Sequence, residues 1–372
     1  MSTEKLVRVL AINPGSTSTK IGLFEGTHEL FAQTIDHDAQ VLADFETMND
    51  QLGYRRDMVL ELLREHGVEL ESIDAFVGRG GGLVPVEGGT YKVDELLLSH
   101  AKVGANGIQH PAQLGSQLAY AFAEEAGGRP AFVVNPPDTD ELCELARMTG
   151  LAGVYRHVHL HALNLKETAI RHAAQLGKRY EDCNFVVCHI GGGISISAHK
   201  HGRMIDGNDI VGGEGPMTPT RCGSIPVTEI ASLVDAGISA AELRARCMKN
   251  GGFVDLLDTS DAREVRARMH AGDRAARRAW EAMLYQIAKW IGAMACVLEG
   301  QVDGILLGGG MVHSTELLEG LERRCAWIAP ITAYPGEFEL EAMAAGAIRV
   351  LEGVEPLRTY SGIPAFQGFD NA

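Results

Sequence analysis

The sequence lacks any long apolar run. No stretch of the 372 residues approaches the roughly 20 apolar residues of a membrane-spanning helix. Met1 to Arg8 also holds no apolar segment of signal-peptide length, so the chain is expected to stay in the cytoplasm. Cysteine pairs at metal or redox spacing are missing too. Seven cysteines (Cys143, Cys183, Cys188, Cys222, Cys247, Cys296 and Cys325) are an odd number scattered through apolar surroundings, with no Cys-x-x-Cys among them. They read as reduced, mostly buried small residues. Positive charge is in short supply: 33 Lys and Arg against 49 Asp and Glu give a net charge of −16. That excludes a broad nucleic-acid or anionic-membrane surface, which needs clustered cations. A small anionic ligand remains possible if a few local cations meet it, which makes Lys and Arg inside glycine-rich loops the informative ones.

What is present is an ordinary globular composition, 45% apolar and 22% charged, with enough chain for two domains. The first organising stretch is Val7 to Phe24. Its alternating apolar residues predict a buried strand, Pro14-Gly15 breaks it, and Ile21 to Phe24 forms a second short strand. Ser16, Thr17, Ser18 and Thr19 crowd the tip between them, and Lys20 follows. Glycine amides, hydroxyls and a lysine suit a phosphate, but the same residues also furnish an ordinary surface turn. The P-loop spacing is absent, since a strand follows the turn and not a helix.

Further strands are predicted at His28–Ile35, Ile73–Val77 and Ala131–Val134, with helices over Asp57–His66 and around Gly107–Ala126. Arg79 lies framed by glycines at Gly78-Arg79-Gly80-Gly81-Gly82, where its planar fork suits carboxylate or phosphate and a solvated loop arginine is the plain alternative. Asp138 and Asp140 follow two prolines and suit either a metal or the cap of a helix beginning near Glu141. His157, His159 and His161 alternate before a helix over Leu163–Leu176. Zinc could use that alternation, but no Cys or carboxylate has a supporting spacing, and one histidine facing a polar site is preferred.

The opening plan then returns. Phe185–Ile190 is a buried strand, Gly191-Gly192-Gly193 a turn, and Ile194–Ala198 a second strand. This repetition points to a duplicated domain with two phosphate loops across a cleft. Gly212 to Ser224 is too rich in Gly and Pro for regular structure and carries Arg221. One helix is expected from Arg263 onward, its core stripe Trp280, Leu284, Ile287, Ile291, Met294 and Leu298. A third strand-to-glycine turn, Gly308-Gly309-Gly310, is expected to open a helix whose amides could meet a nucleotide. Tyr334-Pro335-Gly336-Glu337 and a helix over Glu341–Leu351 close the chain.

Taken together and in order, Asn13-Pro14-Gly15-Ser16-Thr17-Ser18-Thr19-Lys20, Gly78-Arg79-Gly80-Gly81, His161-Ala162-Leu163-Asn164, His189-Ile190-Gly191-Gly192-Gly193, Gly213-Glu214-Gly215-Pro216 with Arg221-Cys222-Gly223, and Tyr334-Pro335-Gly336-Glu337 resemble the acetate and butyrate kinase family. That family lies within the superfamily of actin-like, sugar-kinase and heat-shock ATPases. The resemblance runs through nearly the whole chain. It implies an α/β fold of two duplicated actin-like, ribonuclease H-like domains with a nucleotide cleft between them. Residues 1–140 with 338–372 would form the carboxylate side and 141–337 the nucleotide side.

By the same resemblance the protein is expected to be an ATP-dependent short-chain carboxylate kinase, reversibly making an acyl phosphate and ADP from butyrate or a related acid. Its cofactors would be ATP or ADP and Mg²⁺, and it would form a homodimer or higher oligomer. Arg79, Arg221, His189 and His161 match the catalytic residues. Asn13, Ser16, Ser18 and Lys20 match the first phosphate loop, Gly191, Gly192 and Gly193 the second, and Asp261, Arg263, Gly308, Gly309 and Gly310 the nucleotide region. Asn13 and Glu337 match the metal site, with Glu341 competing for the glutamate. Asn135 departs from the family, which usually has an aspartate there. Two other readings stand beside this one. An acyl-phosphate hydrolase or a sugar kinase is one, the latter with Asp138, Asp140 or Asp206 as base. A nucleotide-dependent scaffold on the same fold is the other.

Overall fold

Apolar, β-branched residues flanking a Pro-Gly break make the first hairpin. Strand β1 spans Arg8–Pro14 and β2 spans Ser18–Glu25, antiparallel, with Asn13 opposite Lys20; the Gly15 amide donates to the Ser18 carbonyl at 2.7 Å to close the turn. The structure is a computed structural model and describes residues 6–369, so most of the N-terminal stretch and the last three residues of the tail assigned to the first domain lie outside the described residues.

Two compact units emerge, 1–140 with 338–367, and 141–337 with 368–372. In the first, β3 (His28–Asp36) pairs with β2, while β4 (Ala75–Gly78), β5 (Thr90–Lys92) and β6 (Ala131–Val134) extend the sheet on the other side. The order is Leu357–Arg358, β5, β6, β4, β1, β2, β3. Leu10, Ile12, Phe76 and Val133 are buried with Leu114, Leu118 and Phe122 of the helix Gln113–Glu125. That helix comes unusually close to β4: a Cβ on Gly78 would overlap the Gly115 carbonyl. Glu339–Leu351 returns to this unit as a helix packed on β1.

The second unit repeats the plan. Strands β7 (Asn184–Ile190), β8 (Ile194–Lys200) and β9 (Arg203–Gly207) run antiparallel in succession; β10 (Gly304–Gly309) and then β11 (Ile331–Pro335) add in parallel beyond β7. The order β11-β10-β7-β8-β9 matches β6-β4-β1-β2-β3 strand for strand and direction for direction. The expected duplication of an actin-like α/β domain is therefore visible in the hydrogen-bond ladders.

Several details differ from the sequence expectation. The helix expected from Arg263 onward is two helices, Ala262–His270 and Arg274–Val297. Asp273 breaks the run by accepting from the Ala275 and Ala276 amides at 2.8 and 3.1 Å. The stripe from Trp280 to Leu298 is buried. Neither Asp138 nor Asp140 caps a helix near Glu141, because the next helix is the short Glu144–Arg147 with Cys143 before it. Asp138 instead accepts from the Leu83 amide at 3.3 Å and from Asn106 Nδ2 at 2.5 Å. The segment 107–112 is a loop, and its helix starts at Gln113. All seven cysteines are free, but only Cys183, Cys188 and Cys325 are buried, and Cys296 is exposed. Among the described residues no helix is long and apolar enough to cross a membrane.

Candidate active site

In each unit the expected residues gather at the carboxyl ends of parallel strands, where open α/β sheets bind ligands. In the first unit β1 ends in Asn13-Pro14, β4 in Gly78 next to Arg79, and β6 in Val134 next to Asn135. The Arg79 amide donates to the Ile12 carbonyl at 3.0 Å, which ties the arginine to the end of β1. Left-handed or otherwise glycine-favouring backbone at Gly80, Gly81 and Gly82 (φ 69°, 143° and 72°) then folds the loop back. Arg79 is only 7% exposed, and its buried Nη1 has no hydrogen-bond partner.

A carboxylate that the sequence reading missed joins this group. Glu339, the first residue of its helix, accepts from Asn13 Nδ2 at 2.6 Å through one oxygen and lies 3.7 Å from Arg79 Nε through the other. The glutamate bonded to Asn13 is thus Glu339. His110, also missed, feels both charges: burial first, and then Arg79, lower its pKa, while Glu339 opposes them. Its Nδ1 accepts from the Ala112 amide at 3.1 Å, so the neutral ring carries its proton on Nε2. Ser16 and Thr17 are exposed at the hairpin tip, as is Lys20, on the same face of β1–β2 as Asn13.

Asn135 adopts φ 38°, which asparagine tolerates better than most side chains. Its amide donates to the Gly89 carbonyl at 2.9 Å, and its Oδ1 accepts from the Gly89 amide at 2.8 Å. The asparagine is a clamp on the entry to β5.

In the second unit β7 delivers His189 and then the turn Gly191–Gly193. His189 stacks on His161 with ring centroids 4.1 Å apart and planes 22° from parallel; its Nε2 lies 3.6 Å from Glu337 Oε1. Ser195 Oγ accepts from the His161 amide at 3.2 Å and lies 2.7 Å from His161 Nδ1. Arg221 lies against the glycine turn so closely that a Cβ on Gly193 would overlap its Nη1. The loop is held by Thr218, whose hydroxyl donates to the Gly192 carbonyl at 2.8 Å and accepts from the Thr220 and Arg221 amides at 3.1 and 3.0 Å. The Arg221 Nε and Nη1 are buried without a hydrogen-bond partner; burial lowers its pKa and Asp209 opposes that.

A cavity of about 490 Å³ lies beyond β10, lined by Asp261, Arg263, Trp280 and Gly310 among others. It unites three of the five residues expected at the nucleotide. Asp261, held at about 2 by hydrogen bonds from Arg263, caps the helix that follows. Gly308 and Gly309 are not among its lining residues: Gly308 is buried in the sheet between His189 and Tyr334, and a Cβ on Gly309 would meet Ile190. The three alternating histidines do not form a metal site; among the described residues no three His, Cys, Asp or Glu side chains converge. Asp206 is engaged by Arg156 Nη1 and the Gly207 amide, at 2.9 and 2.8 Å.

The model of the acetokinase family matches residues 151–321. A probable butyrate kinase of Clostridium botulinum is 44% identical over 354 residues, spanning 95% of this chain and 99% of that protein. An acetate kinase structure from Porphyromonas gingivalis has a TM-score of 0.75 at 20% identity, covering 93% of this chain and 100% of that one. A Francisella tularensis propionate kinase gives 0.69 at 18%, covering 92% and 99%. At such identities these two structures speak for the fold, and the sequence relative carries the assignment. The chain belongs to the acetokinase family.

Proposed function

We propose that the protein is an ATP-dependent short-chain carboxylate kinase, moving the γ-phosphoryl of ATP reversibly to butyrate or a related, including branched, short fatty acid. The observation that carries this reading is the pair of arginines, Arg79 at a glycine-rich strand end and Arg221 against the glycine turn that follows β7, each with buried guanidinium nitrogen that no protein acceptor satisfies. A carboxylate and a phosphoryl group are the anions such forks fit.

The chemistry follows from charge. A carboxylic acid with a pKa of about 4–5 is ionised at neutral pH, so no general base has to create the nucleophile. A carboxylate oxygen attacks the γ-phosphorus, the bond to the bridging oxygen breaks, and ADP leaves with that electron pair. The obstacle is repulsion between two anions, and positioned cations and donors relieve it. Arg79 and Arg221 supply fixed charge, and the His161 and His189 pair supplies donors beside the Gly191–Gly193 turn. Asp261, Arg263 and Gly310 would border the nucleoside.

The first unit also offers oxygen ligands of the kind Mg²⁺ takes along with phosphate and water, namely the Glu339 carboxylate and the Asn13 amide oxygen, left available because Nδ2 faces Glu339. A bound Mg²⁺ would neutralise phosphate charge there. Glu337, beside His189, is then better read as a partner of that histidine than as a metal ligand.

The test is a hydroxylamine trap for acyl phosphate with ATP, Mg²⁺ and a series of acetate, propionate, butyrate and isobutyrate. Hydroxamate is expected, most of it from butyrate or isobutyrate. Tight ATP binding without hydroxamate from any acid would overturn the assignment in favour of a scaffold.

A further inference from the structure

The turn that carries Ser16 and Ser18 is held from behind by a side chain far away in sequence. Arg55, on the helix Gln51–Glu65, is wholly buried. Its Nη1 donates to the Ser18 carbonyl and to Thr19 Oγ1, both at 3.0 Å, and its Nη2 reaches the Ser16 carbonyl at 3.5 Å. Nε and Nη2 donate to Gln51 Oε1 at 3.1 and 2.9 Å. The intervening Thr17 carbonyl accepts from the His37 amide at 2.8 Å, and His37 Nε2 lies 2.8 Å from Thr19 Oγ1. Carbonyl and N–H of a trans peptide point in opposite directions. Drawing the Ser16 carbonyl inward therefore turns the Thr17 amide toward the exposed tip.

The charge balance is as telling as the geometry. All four acceptor atoms around Arg55 are neutral, and among the described residues it has no carboxylate partner. Buried charges are ordinarily paired, because an isolated one forfeits its hydration without return. A guanidinium kept buried beneath a loop of hydroxyls and amides needs an anion on the other side of that loop.

We propose that Arg55 is a positioning residue for phosphoryl transfer: it fixes the Gly15–Thr19 turn and sets one buried positive charge beneath it, balanced by the phosphate the turn receives. This rests on the kinase reading above. Lys20 is solvated, whereas a charge beneath the loop acts through protein of lower dielectric and needs no reorganisation when the phosphoryl group moves. Neither a turn in any surface hairpin nor a purely structural arginine would require the second half of that arrangement.

Gln51→Glu separates the two roles, since it keeps the shape and the acceptor for Arg55 while pairing its charge in place. A structural role predicts a protein at least as stable and as active as the parent. The proposal predicts an unchanged or higher Tm, butyryl phosphate binding weakened about tenfold by calorimetry without nucleotide, kcat lowered about tenfold, and KM for butyrate within about twofold. Binding and kcat within about twofold of the parent in folded protein would overturn it.

A second comparison stands by itself. Arg55→Lys, which keeps the charge and loses the fork, is expected to bind butyryl phosphate more tightly than Arg55→Met, and equal affinities would also overturn the proposal. The two readings fail separately. A parent enzyme that makes no hydroxamate while the phosphate arm behaves as stated removes the kinase reading and leaves Arg55 its role. Normal hydroxamate with an unresponsive phosphate arm removes the role of Arg55 alone.

Discussion

Arg79 and Arg221 hold buried guanidinium nitrogens that no protein group satisfies, and that cost is recovered only by an anion. Arg79→Ala or Arg221→Ala is therefore expected to fold at least as well as the parent and to lose kcat by about 10²–10³, on the order of 3 kcal/mol of transition-state stabilisation. Steady-state rates from the hydroxamate assay, with circular dichroism as the folding control, check this; near-parental turnover in either variant removes that arginine from the chemistry. At His37 the consequence is for stability. Burial, and then Arg55, press its pKa from 6.5 to about 4. Above 6.5 the ring is neutral folded or unfolded; between 6.5 and 4 the unfolded chain takes up a proton that the folded one refuses. Stability is thus full above that window and falls as pH drops through it. His37→Gln should flatten part of the fall, read as urea midpoints at pH 7 and 4.5; an equal loss in both proteins would show that His37 contributes nothing. The arginines were legible because glycines frame Arg79 and a Gly- and Pro-rich stretch carries Arg221. Glu339 was not, because its place depends on a helix that begins two residues before the expected one and on Asn13, 326 positions away. Asn135 was visible as an oddity, but its clamp on Gly89 comes from pairing across the sheet that no local pattern encodes.

At the level of elements, the glycine turn after β7 and the irregular loop through Arg221 act as one piece, joined at the Thr218 hydroxyl. Thr218→Val keeps the size and removes one donated and two accepted hydrogen bonds in a site only 2% exposed. The expected cost is about 1–3 kcal/mol of stability, with a loss of kcat larger than any change in KM for ATP. A variant with normal kcat would mean that Arg221 is placed without this loop. Gly193→Ala is the sharper probe, since its methyl group would occupy the place of the Arg221 guanidinium. It should approach the inactivity of Arg221→Ala while thermal unfolding stays within a few degrees of the parent. Both hairpins could be read from apolar alternation and their Gly breaks. The helices Val227–Asp235 and Ala240–Met248 could not, since no residue of either is buried and the core left no imprint on their sequence. Strand β11 was hidden for the same reason, as none of its residues is fully buried.

Across the whole molecule, one five-strand plan is used twice, each copy with its own buried core. The cavity lined by Asp261, Arg263 and Gly310 belongs to the second copy. ADP is therefore expected to stabilise the 141–337 unit first, by about 2.7 kcal/mol at a hundredfold excess over Kd, and so to raise its unfolding temperature. Differential scanning calorimetry should resolve this as a shift of one transition away from another; a single transition that moves as a whole would refute it. The duplication was legible because the hairpins repeat about half a chain apart, whereas the matching order of β10 and β11 needed the ladders themselves.

The return of the chain at Phe338 also sets an order of assembly during synthesis. Nearly all of the second unit is one continuous segment, made before the ribosome reaches Glu339. The first unit is split: β1 and β4 are made early, but the helix that covers β1 and brings the carboxylate to Asn13 emerges only after the whole of 141–337. A nascent chain stalled between Gly310 and that helix holds the glycine turns and both arginines, yet still lacks the Asn13–Glu339 bond. The half-site at Arg79 is therefore completed only after the 141–337 segment has been made, so products truncated before that helix carry no finished site.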